Sequence, residues 1–343
     1  KTVIYYDFYR NDSLLLNLED VSARSYSSEK EDKTLISTEY VTDMVDYKRS
    51  EDNVLILDIA EYHPDDEDFR PREELRKIQN NVKAQYGLVN NQTQPWTIEP
   101  EIPEHWVTLR YTFFSEIEVE NAHLALEDAA LSEITFNGEK ISNETDGYFT
   151  DKSVETVKLP QIKKGENILV ITLPITNRST VENCFILGDF NVRVEGIRKT
   201  IAAPADKIGF GNIVMQGLPF YGADIDYSMN IEAPCDCSAV IAVRNYKGAV
   251  MRVKLDGKDL GVIAYSPYEI DTGKLSKGTH KLTITLYGNR NNCFGPLHNT
   301  DDKLGWIGPD AWEFMSDNQR RWKYEYTLKP VGILAGPEIK YYK

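Results

Sequence analysis

Residue types that could do chemistry are concentrated in one long irregular stretch near the end of the sequence. Three of the five tryptophans lie between positions 289 and 322. The polar and aromatic side chains of this stretch are Asn289, Arg290, Asn291, Asn292, His298, Trp306, Asp310, Trp312 and Trp322. Aromatic rings stack on the apolar faces of sugars, while amide, guanidinium and carboxylate groups hold sugar hydroxyls. The stretch therefore predicts a carbohydrate-binding loop.

The predicted sugar contacts come mainly from this loop. They are Tyr221, Asn289, Arg290, His298, Trp306 and Trp312, with Tyr221 supplied by an aromatic turn at 217–222. Irregular loops longer than about 12–15 residues are uncommon in compact domains and are often functional. The alternative is that Trp306 and Trp312 fill the core beneath the loop, and that Trp322 lies on a final strand pair over 322–328.

Motifs for catalysis are absent from the sequence. It has no Gly-x-Ser-x-Gly elbow, no His-Glu-x-x-His and no glycine-rich phosphate loop. A glycosidase needs two carboxyl groups across the scissile bond, but 54 acidic residues make carboxyl pairs inevitable on paper. The alternation of strands and helices that builds a (β/α) barrel is also missing. We therefore predict no catalytic residue and no catalysis by this chain alone.

Histidine and cysteine do not form a recognisable metal site, and no metal or cofactor is predicted. We interpret His63 as solvated, His105 and His123 as structural, and the Cys235/Cys237 pair as incidental thiols. A structural calcium ion remains an option, because carboxylate and carbonyl oxygens are its usual ligands. The side chains available for it are Asp224, Asp226, Asp301 and Asp302.

Charge and hydropathy exclude two classes of partner. The net charge of −15 opposes binding to nucleic acid or to anionic membranes. No apolar run approaches the roughly 20 residues that cross a bilayer. The sequence opens on strand-like residues without an initiator methionine, and we expect it to be part of a longer protein.

Strand patterns dominate the chain. Residues 53–60 (NVLILDIA) form a nearly continuous apolar run that predicts one buried strand, and alternating strands follow from residue 107 onward. A single helix is predicted over about 71–86, starting near Pro71 and ending at Gly87. Short strands separated by frequent turns are typical of an antiparallel sandwich.

An internal repeat divides the strand-rich part. The turn dipeptides Asn137-Gly138 and Asp256-Gly257 lie 119 positions apart, and the glycines before two similar strands, Gly165 and Gly278, lie 113 apart. His280 occupies the turn position that Asn167 has in the first copy. The near-constant offset predicts a duplicated domain of about this size.

The repeated pattern resembles a known module. Residues 105–196 are similar to the sugar-binding, galactose-binding-domain-like jelly roll that accompanies the catalytic barrel in family 2 and rhamnosidase-like bacterial glycoside hydrolases. The likeness rests on FNGEKI at 136–141 and on the KGEN turn at 164–167. Residues 53–62, 72–75 and 94–96 resemble the segment between barrel and sandwich, and 287–298 resembles a segment ending in LGPHH. Leu297 replaces the first histidine of that ending, a departure that weakens the metal role that the resemblance would imply for His298.

These observations predict a mainly β protein: two tandem jelly-roll sandwiches preceded by a small β-rich segment with one helix. The predicted boundaries are 1–104, 105–198 and 199–343. The resemblance implies the C-terminal accessory region of a larger glycoside hydrolase, with carbohydrate and an N-terminal catalytic domain of the same parent chain as partners. The alternatives are a stand-alone carbohydrate-binding protein and a hydrolase with its site between the sandwiches. A bacterial origin is expected, with the compartment open between secreted and cytoplasmic.

Overall fold

The computed structural model describes residues 6, 8, 14–16, 33–89, 97–300 and 322–343. In this part of the chain the protein is mainly β. The first described elements are β1 (Leu35–Tyr40), β2 (Val45–Arg49), β3 (Asn53–Leu57), β4 (Ile59–Pro64), β5 (Arg70–Glu74) and the helix α1 (Leu75–Tyr86). No helix among the described residues is long and apolar enough to cross a membrane.

The middle of the chain supplies ten strands. They are β6 (His105–Ser115), β7 (His123–Leu126), β8 (Glu133–Phe136), β9 (Glu139–Ile141), β10 (Thr145–Phe149), β11 (Asp151–Lys158), β12 (Gly165–Ile175), β13 (Cys184–Gly188), β14 (Asn191–Glu195) and β15 (Arg198–Ala202). The alternating strands expected from residue 107 onward are confirmed here by β6, β7 and β8.

Among the described residues, the last part of the chain adds ten strands and one short α-helix. They are β16 (Lys207–Ile208), β17 (Ile225–Ala233), β18 (Cys237–Ala242), β19 (Tyr246–Lys247), β20 (Met251–Leu255), β21 (Lys258–Ile263), β22 (Glu269–Leu275), β23 (Gly278–Leu286), α2 (Asn291–Phe294), β24 (Gly332–Ile333) and β25 (Glu338–Tyr342).

In the described part of the chain, four larger sheets and the two-stranded sheet β19-β24 surround two separate clusters of buried side chains. The first cluster draws on the sheet β10-β11-β7-β13-β3 and on the sheet β14-β15-β6-β12-β8-β9, to which β4 and β5 attach through β6. The second cluster draws on β1-β25-β18-β22 and on β16-β2-β17-β23-β20-β21. Pairing is antiparallel except for β15 with β6 among the described strands. Apolar side chains alternate toward each core, which is the pattern of packed antiparallel sheets.

Nine strands of the first half occur in the same order as nine strands of the second. The order β4-β6-β12-β8-β9 of the first half matches β2-β17-β23-β20-β21 of the second, and β3-β13-β7-β11 matches β1-β25-β18-β22. The duplication predicted from the turn spacing is thus present in the strand pairing. The tandem jelly-roll arrangement itself stays a prediction.

The repeated turns also make the same contacts. Asn137 and Asp256 both have positive φ, at 49° and 50°, as their turn type requires. Asn137 Oδ1 accepts from the backbone N–H of Ile168, and Asp256 Oδ1 accepts from that of Lys281. The partner side chains are Asn167, whose Oδ1 accepts from Asn137 at 2.9 Å, and His280, whose Nδ1 lies 2.7 Å from Asp256 Oδ2. His280 therefore contacts the turn residue of the second copy, as Asn167 does in the first.

The N-terminal segment supplies strands to all four of the larger sheets. β1 and β2 pair with β25 and β17 in the second half, while β3 and β4 pair with β13 and β6 in the first. Residues 35–64 therefore connect both halves through backbone hydrogen bonds. The domain boundaries expected at 104/105 and 198/199 stay predictions.

The predicted helix starts later than expected. Residues 70–74 form β5, which pairs with β4, and α1 begins only at Leu75. The start is fixed by Glu74, whose carboxyl group accepts from the backbone N–H groups of Arg76 and Lys77 at 3.0 and 3.1 Å. Pro71 therefore lies in a strand. The predicted end at Gly87 is confirmed, since this residue has φ 66° and closes the helix.

Two strand predictions were wrong. The apolar run 53–60 is divided at Asp58 into β3 and β4, which enter different sheets of the first half. Residues 322–328 do not form a strand, because Trp322 makes only an isolated bridge with Asn299. The backbone of the 322–328 segment bonds instead to Leu297 and His298.

Candidate functional site

A pocket lies where the segment after β23 crosses onto the first core. Its volume is about 390 Å³, which lies in the range of small-molecule sites. Its polar lining consists of Asp58, Glu74, Arg76, Glu127, Glu182, Asn183 and His298. Its other lining residues are Val154, Phe185, Phe294, Gly295, Leu297 and Trp322.

The carboxyl groups of the pocket are positioned by the ends of strands. Asp58 stands between β3 and β4, and Glu74 ends β5 and caps α1. Glu127 follows β7, and Glu182 precedes β13. Because β3, β13 and β7 are neighbours in one sheet, their ends bring these carboxyl groups to one edge of the first core.

Asp58 is the centre of a buried polar network. Its side chain is 3% exposed, and Lys199 Nζ lies 2.9 Å from Oδ1. Tyr326 donates to the same oxygen at 2.6 Å, and His298 Nε2 lies 3.1 Å from Oδ2. Burial alone would raise the pKa of Asp58, but the Lys199 charge and the bonds from His298 and Tyr326 outweigh it and hold the pKa well below its usual range. Asp58 is therefore ionised, and it fixes His298 and Tyr326 of the crossing segment.

Arg76 and Glu182 form a bidentate ion pair at the pocket wall. Arg76 Nη1 donates to Glu182 Oε1 at 2.6 Å, and Nη2 donates to Oε2. Both side chains are about one quarter exposed, at 28% and 24%. A bidentate guanidinium–carboxylate pair fixes the orientation of both planar groups.

Two further carboxyl groups titrate near neutral pH. Burial raises the pKa of Glu74 to about 7, although the helix N–H groups of Arg76 and Lys77 oppose the rise. Burial, followed by the negative charge of Glu182, also raises the pKa of Glu127 to about 7. The pocket thus combines an ionised carboxylate with two carboxyl groups that exchange protons at neutral pH.

Three aromatic side chains, Phe185, Phe294 and Trp322, form much of the rest of the wall. The rings of Phe185 and Phe294 lie 5.1 Å apart, and both contact Phe149. Trp322 packs edge-on against Tyr324 at 4.5 Å and lies 5.5 Å from the His298 ring. The pocket therefore offers both apolar faces and fixed polar groups.

Of the predicted sugar contacts, His298 lines this pocket. Tyr221 is 1% exposed, and its hydroxyl accepts from the backbone N–H of Ser50 and donates to the carbonyl of Asp224. Asn289 Oδ1 accepts from the N–H of Asn291 at the start of α2. Both residues thus make contacts within the fold and do not line the pocket.

Arg290 also lies outside the pocket lining. Its guanidinium binds Glu51 at 2.6 Å and lies over the Phe149 ring, at 5.3 Å from the ring centre. It therefore joins the segment before α2 to the N-terminal strands. Trp306 and Trp312 fall outside the described residues, so their predicted role stays a prediction.

The pocket carboxyl groups were missed from sequence. Asp58 carried the clearest signal, since it is a lone acidic residue inside an apolar strand run and a buried charge requires a partner. Glu74, Glu127 and Glu182 carried no comparable signal among many acidic residues. They come close together only because the strand order of the fold places the ends of their strands side by side.

Two of the aspartates considered as calcium ligands, Asp224 and Asp226, accept hydrogen bonds from within the fold. Asp226 Oδ1 accepts from the Thr285 hydroxyl at 2.6 Å, and Asp224 Oδ1 accepts from the N–H of Gly288 at 3.4 Å. Within the described ranges, no group of three or more His, Cys, Asp or Glu side chains is arranged to hold a metal ion. Asp301 and Asp302 lie outside those ranges, and calcium stays an untested option.

Comparisons with known proteins give a loose likeness. No family model and no curated protein sequence matches the chain. Similar solved structures include a β-D-mannosidase from Dictyoglomus thermophilum (14% identity, TM-score 0.28, 69% of this chain and 31% of that one). Others are a rhamnosidase from Novosphingobium sp. PP1Y (16%, 0.28, 70% and 23%) and a GH2 β-galacturonidase from Eisenbergiella tayi (7%, 0.28, 71% and 37%). The chain spans between 23% and 37% of the length of these three proteins. A likeness at this level identifies neither a family nor a residue of the pocket.

Proposed function

We propose that this chain is a carbohydrate-binding, galactose-binding-domain-like tandem jelly-roll region of a larger glycoside hydrolase, and that the pocket around Asp58 holds the sugar. The observation that carries the proposal is the lining itself. Carboxylates, a guanidinium and an imidazole face the same 390 Å³ space as Phe185, Phe294 and Trp322. Sugar hydroxyls both donate and accept hydrogen bonds, and sugar ring faces are apolar, so they need this mixture.

The polar groups are held in place before a ligand arrives. Arg76 is fixed by Glu182, Glu74 by the first turn of α1, and His298 by Asp58. A site whose side chains are already ordered loses less conformational entropy on binding. This favours recognition of a ligand of defined shape.

The accessory role is the larger part of the proposal. It is supported by the sequence likeness of residues 105–196 to jelly-roll modules beside glycosidase barrels, and by the same strand order in both halves. In this role the chain braces an N-terminal catalytic domain of the same parent chain. A stand-alone carbohydrate-binding protein would use the same pocket.

Sugar binding to the pocket is tested by replacing Trp322 with alanine. Titration calorimetry against a panel of neutral hexoses, uronates and hexosamines is expected to find at least one ligand, with affinity falling about tenfold in Trp322→Ala through loss of aromatic contact. Tyr265→Ala is the matched control, because this tyrosine is exposed and does not line the pocket. Absence of binding by the whole panel, or equal affinity in Trp322→Ala, would count against the pocket.

A second candidate function is glycoside hydrolysis in this pocket. It is favoured by Glu74 and Glu127, whose pKa values of about 7 suit proton donation near neutral pH, beside the ionised Asp58. Our proposal expects the purified chain to leave a panel of aryl-glycosides unhydrolysed, measured by release of the aryl group. Hydrolysis that is lost in Glu127→Gln and kept in Glu139→Gln, an exposed control, would establish the hydrolase instead.

A further inference from the structure

The acidic groups of the pocket are unequally partnered. Four carboxyl groups and one guanidinium line it. Asp58 is paired with Lys199, and Glu182 with Arg76. The carboxyl group of Glu74 accepts from the first N–H groups of α1.

Glu127 lacks such a partner. Within the described part of the chain, its carboxyl group makes neither a hydrogen bond nor an ion pair. The largest charge effects on it come from the negative Glu182, Asp128 and Asp151 and from the positive Arg76, which Glu182 already holds through both nitrogens. A half-buried carboxylate among like charges is unfavourable, and it is relieved only by a proton or by a cation from outside.

His298 provides a second, independent sign of a missing ligand. It is 7% exposed, lines the pocket, and its Nδ1 has no hydrogen-bond partner among the described residues. Nε2 lies 3.1 Å from the ionised Asp58, so Nδ1 is the ring nitrogen left without a partner among the described residues. The pocket therefore presents an unpaired carboxyl group at Glu127 and an unpartnered ring nitrogen at His298.

We propose that the sugar held by this pocket carries a protonated amine, as a hexosamine does, and that Glu127 binds the ammonium group. This inference rests on the proposed function, since it names the class of sugar for the same site. An ammonium group supplies three donors and a positive charge, which matches the uncompensated carboxylate of Glu127 in the pocket lining. N-acetylation removes the charge, and a uronate carboxylate adds repulsion.

The test compares each hexosamine with its parent hexose. Calorimetric titrations at pH 7 with the glucose, galactose and mannose pairs are expected to show one pair in which the amine binds at least about tenfold more tightly. The N-acetylated sugar should lose this advantage, and the matching uronate should bind more weakly than the hexose. Glu127→Gln should reduce the ratio between amine and hexose to below about threefold, whereas the exposed control Glu139→Gln should keep it.

The outcomes separate the two proposals. If a hexose binds and its amine binds no more tightly, the inference of an amino sugar is overturned while the pocket remains a sugar site. If no sugar binds, the proposed function fails, and the inference fails with it. An advantage that persists in Glu127→Gln overturns the assignment to Glu127. Ethanolamine carries an ammonium group without a sugar ring. If ethanolamine binds as tightly as the amino sugar, the assignment to a sugar is overturned.

Discussion

Replacing Lys199 with methionine is expected to lower the free energy of unfolding by about 3–5 kcal/mol, because it leaves Asp58 charged and buried without its cation. Lys199 Nζ lies 2.9 Å from Asp58 Oδ1 and donates to the carbonyl of Ile56 at 2.5 Å. The Lys199 side chain is 10% exposed, so water cannot take over its role. Urea unfolding followed by circular dichroism measures the change.

An exposed ion pair serves as the matched control. Lys207 Nζ lies 3.7 Å from Asp46, and both side chains are more than half exposed. Lys207→Met should therefore change the free energy of unfolding by less than about 0.5 kcal/mol. The comparison separates loss of a buried counter-ion from loss of a lysine.

A double variant tests the electrostatic cause. In Asp58→Asn/Lys199→Met the uncompensated charge is gone, and the amide still accepts from Tyr326 or donates toward His298. We expect this variant to recover more than half of the stability lost in Lys199→Met. If the double variant is no more stable than Lys199→Met, the lysine stabilises the fold through packing and the explanation by charge is wrong.

The consequence extends to the pocket. Asp58 binds His298 and Tyr326, which belong to the segment that crosses from the second half onto the first core. This carboxylate thus connects the β3–β4 junction with the wall of the proposed site. Stability of the first half and order of the pocket depend on the same charge.

The two repeated turns and the end of α1 were predicted correctly from sequence because they depend on the chemistry of neighbouring residues. Asn137-Gly138 and Asp256-Gly257 predicted turns because their backbones tolerate positive φ, and Gly87 predicted the end of α1 for the same reason. The constant offset between the turns predicted a duplication that the strand order shows. These features required no knowledge of distant contacts.

Other features depended on contacts between remote residues. The apolar run 53–60 was predicted to form one strand. In the structure the run divides into β3 and β4 at Asp58, whose partner Lys199 lies 141 positions away in the sequence. The pocket combines ends of strands and helices from positions 58 to 322. Sequence spacing alone therefore pointed to His298 and could not indicate which carboxyl groups it would meet.

The second large effect concerns pH. The free energy of unfolding of Glu74→Gln, relative to the wild type, is expected to increase between pH 5 and pH 8 by up to about 3 kcal/mol. Burial raises the pKa of Glu74 to about 7 in the folded protein, from 4.5 without such burial. Between these two values the folded state holds a proton that the unfolded state has released, so wild-type stability from this group falls as pH rises. Glutamine cannot ionise and does not lose stability in this way.

The cap of α1 survives the substitution. The glutamine oxygen can still accept from the N–H groups of Arg76 or Lys77, so the start of the helix is retained. Glu166→Gln is the control, because this side chain is exposed on β12 and should give no pH-dependent difference. Urea unfolding of wild type and both variants at pH 5, 6, 7 and 8 measures the effect.

Other titrating groups act equally on the wild type and on Glu74→Gln. The bond to Asp256 raises the pKa of His280, so its stabilisation is present at pH 5 and is lost as pH rises through the raised value. Asp58, whose pKa is depressed, stays ionised over the whole interval. The difference between wild type and Glu74→Gln therefore isolates Glu74. A difference that stays flat from pH 5 to pH 8 would mean that Glu74 is already ionised in the folded protein. The pocket would then hold one more negative charge at pH 5, and its preference for a cationic ligand would extend to acidic solution.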